Sequence, residues 1–137
     1  MIRIGAALAA AALMTFAAGN ASAAYQQYTA RLAPPAGGKG AGTVHMGFDT
    51  DSGQLDYTIE FEGLSGPVTG GGMHGPAAAG QTGPVVFPVP AGASPISGTV
   101  KITPQQSNDM NAGRWYLEID TAAAPQGALR GQIKRDY

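Results

Sequence analysis

Apolar and polar residues alternate along much of this chain, most regularly between Gln54 and Glu62. Every second position of that stretch is apolar, namely Leu55, Tyr57, Ile59 and Phe61. A period of two residues is typical of a β-strand with one buried and one solvated face. A second alternating run, residues 44–48, lies before the turn-forming residues Asp51-Ser52-Gly53. Together the two runs predict a β-hairpin.

Similar patterns predict further strands elsewhere in the chain, at residues 25–32, 83–89, 96–103, 114–121 and 128–134. Residues 67–74 are a weaker candidate, because glycines are poor strand formers. The polar segment 105–113 has room for one short helical turn. Seven or eight short strands separated by Gly, Pro, Asp and Asn turns predict an all-β fold, an antiparallel β-sandwich with Greek-key connections. An up-and-down barrel is the alternative.

Strand parity also predicts which side chains form the core. The expected core residues are Tyr57, Ile59, Phe61, Val85, Phe87, Val100, Ile102, Trp115, Leu117, Ile119, Leu129 and Ile133. Trp115 should contribute the largest single block of buried area. Pro88 and Pro90 cannot donate to a ladder, so their strand should lie at a sheet edge or end there.

The first 23 residues have the three parts of a secretory signal peptide. Arg3 gives the positive start, residues 4–18 form an apolar run, and Ala21-Ser22-Ala23 is a small-residue cleavage site. The apolar run is shorter than the roughly 20 residues that span a bilayer. We therefore expect a helical signal peptide at 1–23 and one domain at 24–137. The mature protein should be secreted or periplasmic, with no membrane anchor.

Composition narrows the chemistry of the mature chain. It has no cysteine, which excludes disulfides. Of eight Lys and Arg, only Arg3 leaves with the signal peptide, so seven basic residues face nine acidic ones. That near-neutral balance argues against nucleic acid or anionic lipid as the main partner.

Three segments in order resemble the signature of the CHRD family. They are Gly72-Met73-His74-Gly75-Pro76-Ala77, residues 113–121 (Gly-Arg-Trp-Tyr-Leu-Glu-Ile-Asp-Thr) and residues 125–132 (Pro-Gln-Gly-Ala-Leu-Arg-Gly-Gln). The family is named for the repeated domain of chordin, a secreted antagonist, and also occurs as single secreted bacterial domains. The resemblance extends from about Tyr25 to the C-terminus. It implies the fold and the compartment, and it favours a binding module outside the cytoplasm.

The family pattern also raises the question of a metal site. In the family pattern, histidines stand at the positions of Gly72, His74 and Asp120. Three imidazoles that converge in this way would suit copper or zinc. This chain keeps only His74 of the three. We therefore expect no cofactor and no tightly bound metal, with His74 as a hydrogen-bonded turn residue. The alternative is a periplasmic copper- or zinc-binding or redox protein that uses His74, Asp120 and possibly His45.

A polar cluster is expected on the outward face of the strand at 114–121. By parity this face carries Arg114, Tyr116, Glu118 and Asp120. Arg130 lies on the next predicted strand, which should pair with the first as a hairpin. We predict that Arg130 is held in an ion pair by Asp120 or Glu118. With His74, these residues form the candidate structural or binding cluster.

No catalytic motif stands out in the sequence. It contains no cysteine nucleophile, no Gly-x-Ser-x-Gly elbow and no phosphate-binding Gly-Lys-Ser/Thr loop. The two histidines lie on different segments. The sequence therefore favours a non-enzymatic binding or structural module whose partner is an extracytoplasmic protein or carbohydrate.

Overall fold

The computed structural model describes residues 24–137, which form two antiparallel β-sheets and one short helix. The strands are β1 (Tyr25–Leu32), β2 (Ala41–Asp49), β3 (Gln54–Glu62), β4 (Val68–His74), β5 (Val85–Val89), β6 (Ile96–Lys101), β7 (Tyr116–Thr121), β8 (Leu129–Gln132) and β9 (Lys134–Asp136); the helix is α1 (Pro104–Asn111). The predicted signal peptide lies outside the described residues.

The strands are arranged as a sandwich. One sheet has five strands in the order β6-β3-β2-β1-β9, and the other has four in the order β5-β4-β7-β8. All the strand pairs within these sheets are antiparallel. The predicted antiparallel sandwich is confirmed, and the weak candidate at 67–74 is strand β4. The described residues form two separate sheets, which excludes the closed barrel.

The C-terminal strand predicted at 128–134 is in fact two strands. Residue Ile133 separates β8, which pairs with β7, from β9, which pairs with β1 in the other sheet. Ala33, just after β1, exchanges two backbone hydrogen bonds of 3.0 and 2.9 Å with Arg130 of β8. A Cβ at Gly131 would overlap the carbonyl oxygen of Arg31. Glycine therefore permits the two sheets to approach along this edge.

The predicted hairpin of β2 and β3 is confirmed. Val44 lies opposite Ile59 and Met46 opposite Tyr57, so their apolar faces coincide. In the turn, the Asp49 carboxylate accepts hydrogen bonds from the backbone N–H groups of Asp51 (2.9 Å) and Ser52 (3.3 Å). Gly53 completes the turn with a φ of 77°.

Most of the predicted core lies between the sheets. Trp115, Leu117, Ile119, Leu129 and Ile133 are fully buried, while Phe61 and Val100 are partly buried against the core. The prediction for Val85 is wrong, since its side chain is 58% exposed. Met73 pairs with Phe87 but His74 pairs with Val85, which leaves Val86 as an extra residue in a β-bulge. The bulge turns Val85 to the outside and lets Val86 contact the core.

Helix α1 is longer than the single turn predicted at 105–113. Thr103 caps it: the Thr103 hydroxyl accepts from the Gln106 N–H (3.1 Å), and the Gln106 side chain accepts from the Thr103 N–H (2.8 Å). This Thr-x-x-Gln capping box was a missed sequence signal. Met110, fully buried, anchors the helix to the core. Among residues 24–137, no helix is long and apolar enough to cross a membrane.

Candidate functional site

The predicted polar cluster gathers on the outer face of the four-stranded sheet. Strand register places His74 of β4 beside Tyr116 of β7, and Glu118 of β7 beside Arg130 of β8. Asp120 lies two residues beyond Glu118 on the same side of β7. These five residues, His74, Tyr116, Glu118, Asp120 and Arg130, are called the polar face below.

Tyr116 is the centre of the polar face. Its ring stacks on the His74 imidazole, with ring centroids 4.8 Å apart and planes 4° apart. The Arg130 guanidinium carbon lies 3.6 Å from the Tyr116 ring centroid, which is a cation–π contact. Although parity directs Tyr116 away from the core, it is only 1% exposed. The three side chains thus form a packed stack that links three neighbouring strands.

The loop at 75–84 folds over this stack. The Gly83 N–H donates to the Tyr116 hydroxyl (3.1 Å), and the Arg130 guanidinium donates to the Gln81 carbonyl. The side-chain amide of Gln132 donates to the carbonyls of Ala77 (3.1 Å) and Gly113 (2.8 Å). Sequence reasoning missed this role of the loop, because its contacts use backbone groups that no residue type reveals.

The predicted ion pair of Arg130 is wrong. Within the described part of the chain, its guanidinium contacts the Tyr116 ring and the Gln81 carbonyl and forms no salt bridge with a carboxylate. Glu118 is nevertheless its direct neighbour across the β7–β8 pair. The loop carbonyl and the aromatic ring compete successfully for the guanidinium donors. The charges of Glu118 and Arg130 are therefore held close together without direct pairing.

His74 is held in a defined orientation. Its Nδ1 lies 2.9 Å from the Gly83 carbonyl oxygen. Because a carbonyl only accepts, Nδ1 must carry the hydrogen, and in the neutral ring Nε2 keeps the lone pair. Nε2 lies 3.1 Å from the place that a Cβ of Gly72 would occupy. His74 is thus hydrogen-bonded as predicted. It is the last residue of β4, and its ring lies against Gly72, two residues earlier on the same strand.

Glu118 and Asp120 form a carboxyl pair. Burial is the main cause that raises the pKa of Glu118, and hydrogen bonding and repulsion from Asp120 raise it further. His74 and Arg130 lower the pKa by a smaller amount. One carboxylate oxygen of Asp120, Oδ1, is buried without a hydrogen-bond partner. A protonated Glu118 would supply the donor that this oxygen lacks.

Two of the predicted site residues lie elsewhere. His45 is exposed on β2 in the five-stranded sheet, opposite Thr29 and Thr58. It is separated from His74 by the core, so it cannot be the third ligand of the metal alternative. Arg114 is exposed and precedes β7, outside the register of the polar face. Residues 24–137 contain no group of three or more His, Cys, Asp or Glu side chains placed to hold a metal ion.

Comparison with protein families gives one match. The model of the CHRD domain matches residues 11–133, which is most of the chain. Comparison with curated proteins and with solved structures found no match.

Proposed function

We propose that this chain, which belongs to the CHRD domain family, is exported and acts outside the cytoplasm as a non-enzymatic binding module. Its partner would be an extracytoplasmic protein or carbohydrate, bound through the polar face. The observation that carries the proposal is the pair Glu118 and Arg130, direct strand neighbours whose charges do not form a salt bridge within the described residues. Because the two side chains form no salt bridge with each other, each can still contact a partner.

Rigidity supports a binding role for the polar face. Tyr116 is fixed between His74 and Arg130, and its hydroxyl is held by the loop at 75–84. A site whose side chains are already ordered loses little conformational entropy when a partner binds. The half-buried carboxyls of Glu118 and Asp120 lie beside this fixed stack. They are the acceptors that the face offers to a partner.

A surface depression beside Glu118 could also receive part of a binding partner. A depression of about 430 Å³ has among its lining residues Glu118, Arg130, Leu129, Pro34 and Pro35. It combines one charge of each sign with apolar and proline surface. A polar partner with a small apolar group fits this combination better than a purely charged one.

Export is tested by cell fractionation after expression of the full chain. We expect to find the protein in the periplasm or the medium, with the molecular mass of a chain that begins at Ala24. An intact Met1 on protein confined to the cytoplasm would contradict export, whatever the binding result.

Binding is tested with isolated cell-surface protein and polysaccharide fractions, using purified protein on a biosensor. The test variant is Glu118→Gln/Asp120→Asn, which replaces both carboxyl groups by amides of nearly the same shape. The matched control is Glu60→Gln/Glu62→Gln, the same chemical change at two exposed positions of β3. We expect the test variant to bind about tenfold more weakly, a change of ~1.4 kcal/mol, and the control to bind as the wild type does. Equal binding by both variants would place the interaction away from the polar face.

A further inference from the structure

A second candidate site lies at one end of the sandwich, between the β2–β3 turn and helix α1. It is a cleft of about 390 Å³, within the usual range for small-molecule sites. Phe48 and Ile102 contribute to its lining, and both are core residues, only 6% and 7% exposed. The cleft shares no lining residue with the polar face.

The lining of the cleft is polar but almost uncharged. Eight of its twelve residues carry a hydroxyl, amide or carboxyl group, and Asp51 is the only charged one. No Lys, Arg or His lines it. A phosphate or carboxylate ligand would find no cation there and would meet the Asp51 carboxylate. An apolar ligand would leave most of the lining groups without hydrogen bonds.

The walls of the cleft are already fixed. On one side, the Asp49 carboxylate holds the turn that carries Asp51, and the Thr50 hydroxyl donates to the Ala24 carbonyl (3.0 Å). On the other side, the capping box of Thr103 fixes the first turn of α1. Asn111, near the helix end, accepts hydrogen bonds through Oδ1 from the Tyr28 hydroxyl (3.2 Å) and from Arg135 (2.9 Å).

Several lining groups retain hydrogen-bonding capacity. The side chains of Asn108 and Asp51 form no hydrogen bond with another described residue. Because Asn111 accepts through Oδ1, its NH₂ group keeps two donors. The cleft thus offers amide donors and a carboxylate acceptor, carried by a held turn and a capped helix, around the apolar side chains of Phe48 and Ile102.

We infer that this cleft binds a neutral saccharide. A sugar ring is uncharged, presents neighbouring hydroxyls that both donate and accept, and carries C–H surface that can contact Phe48 and Ile102. Asp51 would accept from sugar hydroxyls, and the amides of Asn108 and Asn111 would donate to sugar oxygens. This site goes beyond the proposed function, because it uses none of the residues of the polar face.

The test is a titration of ¹⁵N-labelled protein, expressed from the full chain, with cellobiose, maltose and di-N-acetylchitobiose, followed by NMR. We expect at least one sugar to shift amide signals that are confined to residue 26 and residues 48–53 and 102–111. Asn108→Ala and Asp51→Ala should each weaken that binding about tenfold. Gln105→Ala is the matched control, since Gln105 is an exposed amide on α1 outside the cleft, and it should bind as the wild type does.

Two results would overturn the inference. One is the absence of any shift with all three sugars at millimolar concentration. The other is a shift that survives Asn108→Ala and Asp51→Ala unchanged. The variant Glu118→Gln/Asp120→Asn separates this inference from the proposed function, because it should bind the partner of the polar face more weakly and keep the sugar-induced shifts.

Discussion

The outer faces of the two sheets differ although the same strand geometry builds both. On the five-stranded sheet, outward residues such as His45 and Glu60 are exposed. Neighbours there contact each other through short side chains, as in the hydrogen bond from Thr99 to Asp56 (2.9 Å). On the four-stranded sheet, the outward residue Tyr116 is 1% exposed beneath the loop at 75–84. A side chain that points away from the core is therefore not necessarily a surface side chain.

The largest expected effect comes from the inner side of the four-stranded sheet. Trp115→Ala should lower the free energy of unfolding by about 3–5 kcal/mol, because Trp115 is fully buried and its ring packs edge-on against Phe87. Urea denaturation followed by circular dichroism measures the change. A loss below ~1 kcal/mol would mean that the two sheets do not close on Trp115.

The second prediction compares the two outer faces directly. Tyr116→Ala should cost about 2–4 kcal/mol, since it removes a buried ring and leaves Arg130 and His74 without their stacking partner. Thr58→Ala, outward on β3, should change stability by no more than ~0.5 kcal/mol. The same denaturation experiment measures both. Similar costs for the two variants would remove the distinction between the faces.

The third prediction concerns pH. Since the folded-state pKa of Glu118 is raised, the folded protein binds a proton more tightly than the unfolded chain does. The contribution of Glu118 to stability is fully present below the ordinary Glu pKa of 4.5. This contribution is lost as the pH rises through the higher pKa that Glu118 has in the folded state. Glu118→Gln should remove this part of the pH dependence of the unfolding midpoint, whereas Glu60→Gln should retain it. An unchanged profile in Glu118→Gln would contradict the raised pKa of Glu118.

The smallest expected effect is metal binding. Calorimetric titration of the metal-free protein with Cu²⁺ and Zn²⁺ should show only weak binding, because stable sites need three or four protein ligands and Gly72 supplies none. If the weak binding is specific, its heat signal should disappear in the variant His74→Ala. Submicromolar, one-to-one binding that depends on His74 and Asp120 would support the metal alternative for the polar face.

Sequence reasoning predicted orientation better than contact. Parity is a property of the strand itself, so it placed Trp115 inward and Glu118 outward correctly. The parity rule failed at Val85, because a β-bulge inserts one residue there and turns the Val85 side chain from the core to the surface. It also placed Arg130 beside Glu118 correctly but assigned the wrong contact. The contact that Arg130 actually makes is with the Gln81 carbonyl, which lies 49 residues away in sequence. A local sequence pattern cannot predict a contact between residues so far apart in the chain.

The division of the C-terminal segment at Ile133 has a mechanical consequence. A single residue joins β8 in one sheet to β9 in the other, and that residue is fully buried, with its N–H bonded to the Trp115 carbonyl at 2.9 Å. The sheets cannot slide past each other along this edge unless Ile133 leaves the core. In a chain that has no cysteine, one peptide segment thus provides the covalent connection between the two sheets that a disulfide provides in many small secreted domains.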